Sequence, residues 1–389
     1  LICAGPSSPN PQGSAMKLAP KLLAAAVLAA LSTPALAEIT IDVIGGSEVS
    51  FEGLVQMDGN WFDNDVTDLN GNGINGDDTE FELRRAEIVL KGKGPGNWNW
   101  VVGYDAKADK FLDTNVQYRF NAQTFLTVGQ YKQPNSLEEL SSTKNNDFIS
   151  KAMTTNLQGV ARRVGVQLAY LQPNWGVTGS IYGDELTRNL AQGQGYGVRG
   201  YFAPINESGN FLHLGLSYND FEAEDANGNP SARFRVRPDA DLATARLVDT
   251  GNFADADSIA TTGVEGAYVN GPIKIQAEYM TSDITRDVAA DFTGTSGYVY
   301  GVWNITGESW GYRNGIITTG LPDDPAGGMW QVGLRYDTVD LDDGLVRGGT
   351  EDNWTVGVNW YWRSNYKFSA NYVFVDADRQ GVSQSPSIF

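Results

Sequence analysis

The chain has 389 residues, including 45 glycines, 11% aromatic residues and a formal net charge of −19. A surface this acidic argues against nucleic acid as a partner, because phosphate backbones need exposed basic residues, although a local basic site for a small anion stays possible. Beyond residue 40 the sequence has no apolar stretch of the ~20 residues that a membrane-spanning helix requires. Abundant glycine and aromatic residues without apolar blocks predict many alternating β-strands.

The N-terminal segment has the pattern of an export signal. The sequence begins at Leu1, and we interpret Met16 as the start, with residues 1–15 as upstream sequence outside the protein. Two lysines, an apolar run over 22–31 and the small residues of 35–37 predict a signal peptide over 16–37, cleaved before Glu38. Residues 38–389 are then one exported domain.

Strict alternation of side-chain character begins near residue 48, and period 2 predicts β-strands. One face of each run is apolar and aromatic, and the other is small, polar or charged. The clearest runs are Trp354, Val356, Val358, Trp360 and Trp362 against Thr355, Gly357, Asn359 and Tyr361, and then Tyr366, Phe368, Ala370, Tyr372 and Phe374 against Lys367, Ser369 and Asn371.

Three further features favour a membrane barrel over a soluble sandwich. The runs are about ten residues long, which suits tilted strands that cross the hydrocarbon. Aromatic residues gather at the ends of runs, as in the interfacial girdles of outer-membrane barrels. Short turns such as 363–365 alternate with long polar loops. The predicted fold is therefore all-β, a transmembrane antiparallel up-and-down barrel.

About fifteen strands can be placed, and a bacterial barrel of this type has an even number. We predict about sixteen, with the closing strand missing from this sequence, because the tail 379–389 contains Pro386 and does not alternate. The predicted strands are 48–61, 78–91, 97–109, 112–120, 124–133, 162–172, 175–183, 195–203, 211–221, 262–270, 272–281, 296–305, 328–338, 353–362 and 366–376.

Two predicted loops are unusually long. Residues 134–161 follow the fifth strand and are long enough to fold into the lumen. Residues 222–261 are acidic, yet they carry Arg233, Arg235 and Arg237 at alternate positions.

The strand face opposite the aromatic one carries most of the strand charges. A charge that faces lipid at mid-depth would cost ~2–4 kcal/mol, so this face is predicted to line the lumen. Basic residues outnumber acidic ones there, and a column of arginine and lysine attracts anions. The alternative is that they pair with lumenal acids and only hold the wall together. The basic residues are Arg85, Lys107, Arg119, Arg163, Arg199, Lys274, Arg335 and Lys367, and the acidic ones are Glu87, Asp105, Asp109, Glu278 and Asp337.

Motifs of catalysis and metal binding are weak. Asp68-x-Asn70-x-Asn72-Gly73 resembles the start of an EF-hand, but Thr79 stands where the bidentate glutamate belongs, so a polar turn is the preferred interpretation. The segment 307–311 matches GxSxG, but His213, the only histidine, lies upstream and no helix follows. We predict no enzymatic activity, no cofactor and no metal site.

Five segments together resemble the phosphate- and polyphosphate-selective porin family, porin O/P. The resemblance covers nearly all of 48–376, and it depends on the order of the segments more than on any single segment. They are Phe81-Glu-Leu-Arg-Arg-Ala86, Val128-Gly-Gln-Tyr-Lys-Gln-Pro134 with Leu137-Glu-Glu-Leu-Ser-Ser142, Ile305-Thr-Gly-Glu-Ser309, Gly333-Leu-Arg-Tyr336 and Asn353-Trp-Thr-Val-Gly-Val-Asn-Trp-Tyr361.

This resemblance implies a trimeric sixteen-stranded barrel in the outer membrane of a Gram-negative bacterium. It also implies a constriction built by the loop after the fifth strand and an arginine ladder that leads to a phosphate site. Arg84 or Arg85 would contribute to the anion path, and strand alternation favours Arg85. Asp105 would be the acid of the site. Lys132, Lys144 and Lys151 would belong to the constriction loop.

Three functions follow from these observations. The first is passive diffusion of phosphate, polyphosphate or other small anions through a homotrimer embedded in outer-membrane lipid. The second is a general porin, in which the acidic loops dominate. The third is a structural or adhesive barrel.

Overall fold

The computed structural model describes residues 39–41, 48–74, 76–187 and 192–389. The predicted signal peptide and the upstream segment 1–15 lie outside the described residues. Across the described ranges no α-helix has both the length and the apolar character needed to cross a bilayer.

The described chain forms a closed antiparallel barrel of sixteen strands, each hydrogen-bonded to the next in sequence, which confirms the predicted fold. Pairing of each strand with its neighbours suits a barrel in lipid, because each unpaired backbone polar group costs several kcal/mol there. The fifteen continuous strands are β2 (Glu48–Asp63), β3 (Thr79–Lys93), β4 (Trp98–Asp105), β5 (Lys110–Arg119), β6 (Thr124–Lys132), β7 (Arg162–Leu171), β8 (Trp175–Tyr182), β9 (Gly195–Glu207), β10 (Asn210–Glu222), β13 (Ala256–Asn270), β14 (Ile273–Arg286), β15 (Phe292–Asn304), β18 (Met329–Asp343), β19 (Val346–Trp362) and β20 (Tyr366–Arg379).

The sixteenth strand consists of two short pieces, β21 (Val382–Gln384) and β22 (Ser387–Ile388). The second piece pairs with both β20 and β2. The prediction that the tail is a loop is therefore wrong. Pro386 interrupts the strand because it has no N–H, but its carbonyl still accepts from the Val375 N–H at 3.1 Å. Outside the ring, β1 (Ile39–Ile41) pairs with β2.

The outer and inner faces of the wall alternate as the sequence predicts. On β19, Trp354, Val356 and Val358 are exposed on the outer face. The residues between them, such as Asn353 and Thr355, are buried on the inner face. This alternation places an apolar belt on the outside, as a barrel in lipid requires.

Long connections enter the barrel from both ends. From the long-loop end, 133–161 contributes the helices α1 (Leu137–Leu140) and α2 (Met153–Gln158) with a 3-10 turn, and 223–255 contributes the hairpin β11 (Arg235–Val236) and β12 (Val248–Asp249). At the opposite, short-turn end, 305–328 contributes the hairpin β16 (Gly311–Arg313) and β17 (Ile316–Thr318). In outer-membrane barrels the long loops are extracellular and the short turns are periplasmic.

These connections divide the inner face into two regions. We call the inner face of β9, β10, β13–β15 and β18–β20 the filled side, because the connections bury its side chains in three apolar clusters and many polar contacts. We call the inner face of β2–β6 the open wall, because most of its inward side chains keep partial exposure.

Candidate functional site

A β-bulge on the open wall directs two neighbouring arginines inward. On β2, Gln56 pairs with Arg85 and the next residue, Met57, pairs with Leu83, so Arg84 has no partner across the ladder. An extra residue in one strand shifts the alternation, which lets two consecutive side chains share a face. The prediction offered Arg84 or Arg85 as alternatives, and the structure brings both together.

The two arginines have different partners. The Arg84 guanidinium is buried between Asp58, at 2.6 Å, and Asp241 of the 223–255 loop, and it donates to the Ile149 carbonyl at 3.0 Å. It therefore ties the wall to both long loops. Arg85 donates to Gln56 Oε1 at 2.7 Å, and its Nε lies 3.6 Å from Glu87. The Arg85 side chain is 20% exposed and keeps contact with water.

Lys107 and Asp105 lie at the long-loop end of the open wall. The predicted strand reached residue 109, but β4 ends at Asp105, so the placement of Lys107 on a strand is wrong. The Asp105 carboxylate stops the strand by accepting from the N–H groups of Lys107 and Ala108 at 3.0 and 3.4 Å. Lys107 pairs with Glu82 at 2.9 Å. The role of Asp105 in an anion site stays a prediction.

Arg119 and Arg163 occupy different surroundings. Arg119 ends β5, is exposed, and stands opposite Phe125. Arg163 is buried on β7, where one guanidinium nitrogen donates to the carbonyls of Gly183 and Gln192 at 3.2 and 2.9 Å. Arg163 therefore holds the loop between β8 and β9.

The remaining predicted cations lie on the filled side. Arg335 is 1% exposed and sits between Asp337, 2.5 Å from its Nε, and Asp239, 2.8 Å from its Nη2. Arg199 donates to Glu265 at 2.8 Å and is buried.

Two lysines of the filled side hold the 133–161 loop. Lys274 is paired with Asp147, and Lys367 donates to the Asn146 carbonyl. In the alternative that the sequence left open, lumenal acids neutralise the inward cations. Arg335, Arg199 and Lys274 are each paired with a carboxylate, as this alternative expects.

The predicted constriction loop, residues 133–161, carries Lys144 and Lys151, whereas Lys132, which was also predicted to belong to it, is the last residue of β6. Lys151 is paired with Glu139, and Lys132 Nζ donates to the Ser141 carbonyl at 2.8 Å. Burial alone would raise the pKa of Glu139, but the charges of Lys151 and Lys132 outweigh it and lower that pKa to about 2. Lys144 reaches Glu52 on the open wall at 2.8 Å.

Wall residues of the filled side also bind the backbone of this loop. The Glu278 carboxylate accepts from the N–H groups of Leu137 and Glu138 at 3.0 and 2.8 Å. Asp337 accepts from the Met153 N–H at 3.1 Å. The sequence predicted that both acids face inward but gave no signal for this role, which depends on where the loop docks.

An arginine cluster at the long-loop end, Arg233, Arg235, Arg237 and Arg246, lies on the 223–255 loop. Arg233 pairs with Asp249 at 2.8 Å, whereas Arg235 is exposed. Burial, and then the like charges of Arg237 and Arg235, lower the pKa of Arg246 to about 10. The alternating arginines were visible in the sequence, whereas Arg246 was missed because the loop is not periodic.

A cavity of about 510 Å³ lies at the short-turn end of the open wall. Lys91 and Lys93 line it together with the amide side chains of Asn99, Asn115 and Gln117. Lys91 pairs with Glu52 on the neighbouring strand. Along β3, basic side chains thus follow from Arg84 and Arg85 in mid-strand to two lysines at the end.

Residues of the weak sequence motifs make contacts within the protein. The Asp68 carboxylate accepts hydrogen bonds from N–H groups of its own turn, those of Asn70, Gly71 and Gly73. His213 contacts Glu265 and Tyr312, each through one ring nitrogen. Within the described ranges, no group of three or more His, Cys, Asp or Glu side chains is arranged to hold a metal ion.

Comparison with known proteins gives matches over most of the chain. The family model for phosphate-selective porin O and P matches residues 55–387. Porin O of Pseudomonas aeruginosa is 27% identical over 88% of this chain and 88% of its own length. An uncharacterized protein of Caulobacter vibrioides is 28% identical over 76% of this chain, which spans 62% of that relative. An anion-selective porin from Comamonas acidovorans has a TM-score of 0.55 at 13% identity, covering 88% of this chain and 97% of its own.

Proposed function

Because the chain belongs to the family of phosphate-selective porins O and P, we propose that it passes anions of the phosphate or polyphosphate class through the outer membrane by passive diffusion along the open wall. Its family and its fold are those of outer-membrane channel proteins. The absence of enzymatic activity and the homotrimeric state remain predictions.

The observation that carries the proposal is the bulge that turns both Arg84 and Arg85 inward. Guanidinium groups offer forked donors that match phosphate oxygens. Arg84 is neutralised by two carboxylates, so Arg85, which keeps partial exposure, is the residue we assign to the anion path. A partly exposed, weakly paired cation suits conduction, because an ion that binds too tightly cannot leave.

Basic groups lie before and after Arg85 along the proposed path. The arginine cluster adjoins the open wall at the long-loop end, since Asp241 of the same loop pairs with Arg84. Lys91 and Lys93 line the cavity at the other end. A sequence of several sites, each of moderate strength, would draw an anion through by successive exchanges. The neighbouring Glu52 and Glu87 would keep each site weak.

The proposal is tested by ion selectivity in planar bilayers. Under a KCl gradient, we expect the wild-type reversal potential to indicate anion preference, inorganic phosphate to reduce the chloride current, and Arg85→Glu to lower both effects. The matched control is Arg363→Glu, the same charge change in an exposed turn. Equal selectivity of the Arg85 and Arg363 variants, both assembled, would overturn the assignment of Arg85.

The same recordings separate the alternatives. A general porin is favoured by the ion pairs that neutralise Arg199, Lys274 and Arg335, and it would show no phosphate block. A structural or adhesive barrel would show no conductance.

A further inference from the structure

The Asp241 carboxylate lies on one edge of the Arg84 guanidinium. Asp241 belongs to the 223–255 loop, and its carboxylate pairs with Arg84 Nη2. On the same edge, Arg84 Nε is buried and has no hydrogen-bond partner among the residues that the structure describes. Nε and Nη2 together form a fork that can bind two oxygens of a carboxylate or a phosphate. Asp241 therefore occupies half of an edge that a dissolved anion could fill.

The third nitrogen of Arg84 holds the side chain on the wall. Arg84 Nη1 donates to Asp58 Oδ2 at 2.6 Å and to the Ile149 carbonyl at 3.0 Å. These contacts use neither Nε nor Nη2, so they do not depend on Asp241. The guanidinium would therefore keep its position if the Asp241 carboxylate were removed.

A chain of hydrogen bonds connects Arg84 with Arg85. The Gln56 amide donates to Asp58 Oδ1 at 2.9 Å, and its Oε1 accepts from Arg85 Nη1 at 2.7 Å. Asp58 in turn accepts from Arg84. The amide uses its nitrogen on the acid and its oxygen on the arginine, which fixes its orientation. The two guanidinium groups are thus held together, and a free Arg84 edge would form one anion site with Arg85.

The neighbours of Asp241 in the chain fix its position. Ala240 and Leu242 are buried in the apolar cluster that also contains Phe62 of β2. The Asp241 side chain itself is 29% exposed, whereas that of Arg84 is 8% exposed. The carboxylate is therefore the part of the pair that water and dissolved ions reach, and the apolar contacts beside it hold the loop in place.

We propose that Asp241 is a specificity-determining residue of the channel, because its carboxylate takes the place of an anion on Arg84. With this edge occupied, an anion at this depth of the open wall binds to Arg85 and is held weakly. Without the carboxylate, both arginines would bind the anion and release it slowly. The loop acid thereby keeps the affinity in the range that conduction requires. This inference rests on the proposed function and concerns the affinity of the same path.

Removal of the carboxylate tests the proposal in planar bilayers. Asp241→Ala is expected to lower the concentration of inorganic phosphate that halves the chloride current by about tenfold, because a charge-assisted contact becomes available to the ion. The reversal potential in a KCl gradient should also shift toward stronger anion preference. The matched control is Glu224→Ala, which removes one negative charge at an exposed position of the same loop and should change both quantities little. If the assembled Asp241→Ala and Glu224→Ala channels agreed in both quantities, the proposal would be overturned.

A second background separates the opened Arg84 edge from a shift of the loop. Arg84→Gln with Asp58→Asn removes the guanidinium and its buried partner and leaves the net charge unchanged. In this background, Asp241→Ala should have no larger effect than Glu224→Ala, because no guanidinium edge is left to open. A gain in phosphate affinity or anion preference that persists there would also overturn the proposal.

The two readouts distinguish this inference from the proposed function. If inorganic phosphate fails to block the wild-type channel, the assignment of the phosphate class fails. The reversal potential with chloride then still decides the role of Asp241. A shift found for Asp241→Ala but not for Glu224→Ala supports that role, and equal shifts overturn it.

Discussion

The open wall and the filled side contain the same kinds of basic residue in very different surroundings. Arg335 is fully buried between Asp239 and Asp337, whereas Arg85 keeps partial exposure and its Nε lies 3.6 Å from the Glu87 carboxylate. Both face inward, so orientation alone does not decide which cation an ion can meet. On the filled side the basic side chains are paired in contacts that hold the inserted loops, and Arg84 on the open wall is paired in the same way, whereas Arg85 beside it keeps partial exposure.

The largest expected effect is on stability. Arg335→Gln leaves Asp239 and Asp337 buried without a counter-charge, and we expect it to lower the free energy of unfolding by about 3–5 kcal/mol. Arg85→Gln, at a partly exposed pair, should cost less than about 1 kcal/mol. Urea unfolding in detergent micelles measures both variants. Equal losses of unfolding free energy in the two variants would contradict the distinction between the filled side and the open wall.

A second comparison concerns selectivity. The double variant Lys274→Met with Asp147→Asn removes a buried ion pair of the filled side and leaves the net charge unchanged. We expect its reversal potential in a KCl gradient to match the wild type, because neither group lies on the proposed path. A shift as large as that of Arg85→Glu would place the path on the filled side.

A smaller effect is expected at the arginine cluster. Arg235 is exposed at the long-loop end, so Arg235→Gln should reduce the anion current at low salt and have little effect at 1 M salt, where the Debye length falls to about 3 Å. Conductance across a salt series measures this change. A loss of current that is the same at all salt concentrations would indicate a change in the shape of the loop instead of a change in electrostatic attraction.

The smallest effect is expected from acid. The pKa of Glu139 is lowered from 4.5 to about 2, so its pairing with Lys151 and Lys132 stabilises the docked constriction loop fully above about pH 4.5. That contribution is lost as the pH falls from 4.5 toward 2. The contribution of Glu139 is therefore constant between pH 7 and 4.5 in the wild type and absent from Glu139→Gln, so the conductance of the variant should differ from the wild type at pH 7 and approach it toward pH 2. Identical pH profiles would contradict this assignment.

The wall was predictable because alternation is a local property of the sequence. Trp354 and Val356 reveal their face by spacing alone. The bulge at Arg84 was not predictable, since counting by two assigns only one of two adjacent arginines to the lumen. The strand at 387–388 was missed because Pro386 precedes it and breaks the alternation. The end of β4 was missed because the sequence pattern does not reveal the turn that the Asp105 carboxylate forms.

The site was less predictable than the wall, because its partners are distant in sequence. Nothing local in Glu278 or Asp337 indicates that each binds the backbone of a loop more than a hundred residues earlier. Sequence reasoning listed the inward charges but could not separate those that remain accessible from those that hold loops.

The anchoring of the constriction loop also determines the order in which the molecule can be built. Leu137 is bound by a residue 141 positions later, Met153 by one 184 positions later and Ile149 by one 222 positions later. Contacts at such separations form late, because the intervening chain must first lose its freedom. During assembly the barrel should therefore pass through a stage in which the loop has not docked and the pore is still wide. Discrimination between solutes should then be the last property that the barrel acquires.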